Sequence, residues 1–127
     1  MAVITEEEFA VFEKVVYEND FDTFVSMVEK LEDINIQNKY GWTLLHITIR
    51  RDRRDMVAYL LENGADINRV DGVGWTPLME AIMDDMPELV KRLVDAGADK
   101  SIANQRGATA PMLAQKFGRV NMYEYLS

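Results

Sequence analysis

The phrase Gly74-Trp75-Thr76-Pro77-Leu78-Met79-Glu80-Ala81-Ile82 has a near copy upstream, Gly41-Trp42-Thr43-Leu44-Leu45-His46-Ile47-Thr48-Ile49. A weaker copy follows downstream, Gly107-Ala108-Thr109-Ala110-Pro111-Met112-Leu113-Ala114-Gln115, and Gly41, Gly74 and Gly107 are evenly spaced. A second phrase keeps the same interval: Gly64-Ala65-Asp66-Ile67-Asn68 returns as Gly97-Ala98-Asp99-Lys100-Ser101. Two independent phrases in register at one period of roughly 20–50 residues signal stacked repeat units. A unit this small cannot bury its own apolar face, so burial has to come from its neighbour. Leu45, Leu78, Ala81, Ile49, Ile82, Leu60, Leu61, Leu93 and Val94 are therefore expected to form one continuous ribbon of core. Each large aliphatic in it contributes roughly 1.5–3 kcal/mol. Thr48 and Ala81 are small where neighbouring units must approach.

Taken in order, Thr5-Glu6-Glu7-Glu8 has the form of a capping box, with Glu at the third position after Thr. Phe9, Phe12, Val15 and Val16 then recur at helical spacing. Glu18-Asn19-Asp20 breaks this helix, and a second is expected from about Asp22, with Phe24, Val25, Met27, Val28 and Leu31. Asn38-Lys39-Tyr40-Gly41 reads as a turn, because Asn forms Asx turns and Gly supplies positive φ. The next helices are expected over Thr43 to about Arg50 and Asp55 to Asn63, the latter ended by Gly64 as a left-handed cap. In the third unit Gly72 and Gly74 make the turn. Pro77 and Pro87 sit at first helical turns, where a missing N–H costs nothing, and Gly97 closes the unit. Thr43, Thr76 and Thr109 are expected to cap the helices that follow them.

These residues resemble the ankyrin repeat, whose unit reads approximately Asp-x-x-Gly-x-Thr-Pro-Leu-His-x-Ala and later Gly-Ala-Asp-x-Asn. Asp71 to Ala81 fits closely, Asn38 to Thr48 fits with Leu44 for Pro, and Asn104 to Ala114 fits least well. The resemblance implies an all-α repeat, an α-solenoid of about four helix–turn–helix units with short β-hairpin or loop connections. The units divide as 5–37 (a divergent N-terminal capping repeat), 38–70, 71–103 and 104–127 (a truncated C-terminal capping repeat). In the last, Gln115 stands where Ile49 and Ile82 stand, and Arg119, Asn121 and Glu124 add polar character to a face expected to be wet. Met122, Tyr123, Tyr125 and Leu126 either pack inward or leave an adhesive end.

Charge is unevenly placed. Residues 1–37 hold ten acids against two bases and residues 38–127 hold twelve of each, so the whole net charge of −8 belongs to one end. Such a field disfavours nucleic acid and attracts basic surfaces. There is no Cys, hence no disulfide or thiolate chemistry. No apolar run approaches the ~18 residues of a membrane span, and Met1-Ala2-Val3-Ile4 runs into Glu6-Glu7-Glu8, the wrong charge for a signal peptide. A cytoplasmic location is expected, with a monomer favoured.

Catalytic constellations are missing from the pattern. The only histidine, His46, occupies the position of the motif's own His, for which the resemblance implies a hydrogen bond between neighbouring units. A lone His with no Cys builds no multi-ligand metal site. Gly72-Val73-Gly74 is followed by no Lys-Ser/Thr and is not a phosphate cradle. Neither enzyme nor cofactor is expected. Arg50-Arg51-Asp52-Arg53-Arg54 offers a remote nucleic-acid reading, against which Glu18, Arg51 and Asp84 share one slot and suggest an alternating charge ladder between units. The resemblance places a protein partner on the hairpin tips and the inner face of the first helices. Those positions are Lys39, Tyr40, Trp42, Arg50 and Arg51; then Val73, Trp75, Met83 and Asp84; then Gln105, Arg106, Lys116 and Phe117. The expected function is non-enzymatic protein binding through this concave strip, by an adaptor or by a stoichiometric, immunity-type inhibitor of a basic toxin or effector enzyme.

Overall fold

Each first helix begins at a threonine that stands in extended backbone and so can turn its side chain onto the free N–H groups of the helix. The computed structural model describes residues 4–127. In it Thr5 opens α1 (Glu6–Tyr17) with the expected capping box: Glu8 N donates to Thr5 Oγ1 (3.0 Å) and Thr5 N to Glu8 Oε1 (3.2 Å). Thr43 opens α3 (Leu44–Arg50) and Thr76 opens α5 (Pro77–Met83), each accepting from the third residue on. Thr109 precedes α7 (Ala110–Lys116) without such a bond.

The second helices are α2 (Phe21–Glu29), α4 (Arg54–Glu62), α6 (Pro87–Asp95) and the single turn α8 (Tyr123–Leu126), which a 3₁₀ turn (Val120–Met122) precedes. The reversal inside every pair is built alike. Asn19, Asp52 and Asp85, each one period from the next, lie at φ 58°, 56° and 57°, and Gly118 follows at 67°. Asn, Asp and Gly are the residues that enter the left-handed region at least cost. Three short polar residues and a glycine at one slot therefore mark the same turn in all four pairs, the N-terminal one included. Gly64 and Gly97 (φ 90° and 97°) end α4 and α6 as expected.

First helices line up beside one another, α1 on α3, α3 on α5 and α5 on α7, while α2 lies on α4 and α6 on α8. The core is one continuous cluster running the length of this stack. Leu45, Ile49, Leu78, Ala81, Ile82, Leu60 and Leu93 are fully buried, and Leu61 and Val94 pack partly buried against them. Thr48 and Ala81 are completely covered, and Ala114 very nearly so. Small residues at this slot are what let the first helices approach. The N-terminal pair is tied on by rings: Phe12 meets Phe24 edge-on at 6.2 Å, and Phe24 and Phe21 meet Tyr59 of α4 at 6.5 and 6.2 Å. At the other end Met122 and Leu126 turn inward while Tyr123 stays 40% exposed. Gln115 is exposed, as expected of the last unit. The connections between units are tight turns, and no strand forms among the described residues. No helix among them is long and apolar enough to cross a membrane.

Candidate functional site

One carboxamide or carboxylate builds each inter-unit turn. Asn38 Oδ1 accepts from Tyr40 N and Trp42 N, Asp71 Oδ1 from Val73 N and Trp75 N, and Asn104 Oδ1 from Arg106 N and Ala108 N, all at 2.9–3.1 Å. Successive turns are joined by their backbones. Gly72 N donates to Tyr40 O (2.9 Å) and Gln105 N to Val73 O (3.2 Å). Gly72 is needed for closeness, since a Cβ there would stand 2.9 Å from Tyr40 O, and Gly74 is needed both for its φ of 82° and because a Cβ there would stand 3.0 Å from Gln105 N. The side chains of Gln37 and Gln105 reinforce the row, Gln37 donating to Gly41 O and Val70 O and Gln105 to Gly72 O.

Behind the row sits His46, fully buried. Its Nε2 lies 2.9 Å from Trp75 O, and its Nδ1 lies 2.8 Å from Thr43 Oγ1 and 3.2 Å from Thr43 N. A carbonyl can only accept, so Nε2 carries the hydrogen and Nδ1 accepts from the Thr43 N–H. Burial pushes the imidazole pKa down, which keeps this neutral form. The expected bond between units is thus present, and the histidine is fully occupied by it.

The predicted binding residues divide into two groups. In the first, Tyr40 and Trp42 rings lie 4.9 Å apart and tilted, with Lys39 Nζ 5.2 Å over Tyr40 and the Arg50 guanidinium 4.2 Å over Trp42. Arg50 also meets Glu80 of the next unit at 2.9 Å. This stack is locked into itself by ring, cation and ion-pair contacts, although Tyr40 remains 54% exposed. Arg51 turns toward α1, its guanidinium 4.9 Å over the Tyr17 ring.

The second group surrounds a groove of about 960 Å³ between residues of the third and fourth units. Val73, Trp75, Met83, Gln105, Arg106, Lys116 and Phe117 line it, joined by Asn104, Ala108, Met112, Leu113 and Gln115. Met112 is the main omission of the sequence reading. It stands one period after buried Met79, and only its position in the last unit leaves it 53% exposed. Asp84 caps α5 beside the groove without lining it. Its carboxyl is raised to about 7, first by desolvation and then by a hydrogen bond to the Glu80 carboxylate, while Arg50 and Arg119 oppose the shift.

The basic cluster is also partly consumed by structure. Arg53 donates to Val16 O and Tyr17 O (2.8 and 2.7 Å), the last carbonyls of α1. Arg54 pairs with Asp52 and with Glu88 of the next unit. Arg119 repeats the Arg53 contact, donating to Ile82 O and Met83 O at 2.9 Å each. The expected charge ladder through Glu18, Arg51 and Asp84 is replaced by these links, because Arg51 lies on Tyr17 and the rungs between units run through Arg50–Glu80 and Arg54–Glu88. The clue was two arginines separated by two full periods, with Met86 in the slot between. Among the described residues no three metal-ligating side chains gather.

Helix pairs stacked at a constant period, tight turns joined by backbone hydrogen bonds and a buried His reaching the next unit define a helical repeat protein. The family model for ankyrin repeats, in three copies, matches residues 12–104, and the chain belongs to that family. Ankyrin repeats are generally protein–protein interaction modules. A comparison with curated proteins finds no match.

Proposed function

We propose that this chain is a non-enzymatic binding module that holds a partner protein on its concave face, chiefly in the groove between units 71–103 and 104–127. The observation that carries this reading is the groove's lining. Val73, Met112 and Phe117 are 53%, 53% and 42% exposed, beside partly buried Trp75 and Met83. Large apolar side chains gathered in one concavity, fringed by polar groups, are the ordinary anatomy of an interface centre. The Tyr40–Trp42–Arg50 stack extends the surface toward the N-terminal end. Tyr, Trp and Arg are the types enriched among residues that dominate binding energy. The single histidine, His46, is buried and engaged by Thr43 and by Trp75 O, which supports recognition rather than turnover. We further infer a cytoplasmic monomer with 5–37 and 104–127 as capping repeats.

An inhibitor of a basic protein is the second reading. Its support is the acidic stretch 1–37, whose Glu6, Glu7, Glu8 and Glu13 are exposed, and the groove's own charges do not favour it. Affinity capture with the wild type and with Met83→Glu/Phe117→Glu tests the main reading. Both replaced side chains are at least partly exposed, so the variant should keep its helical circular dichroism. It should lose a protein that the wild type retains in stoichiometric amount. Equal capture by the folded variant would refute the reading.

A further inference from the structure

The groove differs in charge from the chain as a whole, whose acidic surplus lies in residues 1–37. The chain holds 22 acidic residues against 14 Lys and Arg, yet no Asp or Glu lines the groove, while Arg106 and Lys116 do. Neither cation is used in an ion pair among the described residues. Among the described residues the ion pairs use Arg50, Arg54, Arg69 and Lys91, and Arg53 and Arg119 serve backbone carbonyls. Arg106 and Lys116 take part in none of these, and both are exposed. Lys116 Nζ lies 5.7 Å over the ring of Phe117, so positive charge and apolar surface are adjacent. The backbone N–H groups of Arg106 and Ala108 are already used by Asn104 Oδ1. Recognition therefore falls to side chains.

We propose that the groove receives a segment of the partner protein in which a large apolar side chain is flanked by Asp or Glu. The proposal rests on the concave face being the binding surface. The apolar side chain lies among Trp75, Met83, Met112 and Phe117. Two methionines make this wall adaptable, so Leu, Met and Phe are all accommodated. The carboxylates meet Arg106 and Lys116 at the edge, where charge sets orientation and rejects basic sequences. The choice of an acidic segment follows from local complementarity and runs against the chain's overall negative field, which makes it a discriminating claim.

Random peptides displayed on phage, panned against the wild type, should enrich sequences with an aliphatic or aromatic residue next to Asp or Glu. Enriched peptides are then synthesised with a fluorophore and titrated by polarisation against the wild type, Arg106→Glu/Lys116→Glu and Met83→Glu. Each variant is first checked for an unchanged urea midpoint. Both variants should weaken binding, the charge reversal by at least about tenfold, since two edge ion pairs become two repulsions. Enrichment of basic or uncharged peptides, no enrichment, or unchanged affinity after charge reversal overturns the proposal. Loss of binding in Met83→Glu alone leaves the concave binding surface standing and removes the acidic segment, whereas indifference to all three substitutions removes both. Sedimentation showing a dimer that dissociates on charge reversal would give the groove to a second copy. Retention of a labelled oligonucleotide that reversal abolishes would give it to nucleic acid. Either result overturns the proposal.

Discussion

Replacing Arg119 by Met installs, at the seam between the last two units, the residue that the third unit already carries at Met86. The change keeps side-chain bulk and removes two hydrogen bonds from a guanidinium to Ile82 O and Met83 O, both 2.9 Å long and partly buried. A hydrogen bond involving a charged group contributes about 1.5–3 kcal/mol. Because the freed carbonyls end α5 and water can reach part of the site, each bond is taken at or just below the bottom of that range, about 1–1.5 kcal/mol. The pair is then expected to contribute about 2–3 kcal/mol. With a urea slope of about 2 kcal/mol per molar for a chain of this size, the unfolding midpoint should fall by roughly 1 M or slightly more, followed by circular dichroism at neutral pH. Arg54→Ala is the control, since its Glu88 partner is 73% exposed and exposed pairs contribute about 0–1 kcal/mol. Arg119→Lys should rescue only part of the loss, because one ammonium does not span two carbonyls as a planar fork does. If Arg119→Met and Arg54→Ala shift the midpoint equally, the clamp is ornamental and the reasoning fails.

Three other outcomes are expected. Burial holds the His46 pKa below its usual 6.5, so the unfolded chain takes the proton first and stability falls as pH drops below that value. His46→Met should be less stable at pH 7, because Trp75 O loses its donor, and should lack the fall in midpoint that sets in below pH 6.5. Asp84 behaves oppositely: its folded pKa near 7 lies above the usual 3.8, so its contribution is lost as pH rises from about 4 to 7. Asp84→Asn should therefore gain on the wild type as pH increases, and a pH-independent difference between the two would contradict the assignment. Gly72→Ala places a Cβ 2.9 Å from Tyr40 O. It should open the Tyr40–Gly72 backbone bond, seen as faster amide exchange at that position and as a destabilisation of about 1–3 kcal/mol.

Much of the architecture was legible because the stack repeats one set of requirements. A residue recurring once per period is there for its neighbour, and Leu45, Leu78, Ile49 and Ile82 could be placed in the core on that ground alone. The harder features break or skip the period. Arg53 and Arg119 serve two seams and Met86 interrupts them, so a reading by local clusters took Arg53 for a basic patch and Arg119 for a solvated side chain. Gly72 looks like its neighbour Gly74, yet approach of another turn alone requires the first, while the second also needs its positive φ. The groove was half visible. Turn and helix-end positions named Val73, Trp75, Met83, Gln105, Arg106, Lys116 and Phe117. Which way Arg51 and Asp84 point depends on Tyr17 and Glu80, contacts that no local pattern fixes. Met112 was hidden because its counterpart Met79 is a core residue. A side chain keeps its slot in the last unit but loses the neighbour that would cover it.

The claim beneath all of this is that no unit holds its fold without the one beside it. Urea unfolding of a chain ending at residue 103 tests that most directly, because removing residues 104–127 uncovers Leu78, Ala81, Ile82 and Leu93 at the new end. The midpoint should lie well below that of the full chain, with helical signal lost beyond the share of the deleted helices. An unchanged midpoint, with signal reduced only in proportion to length, would contradict it.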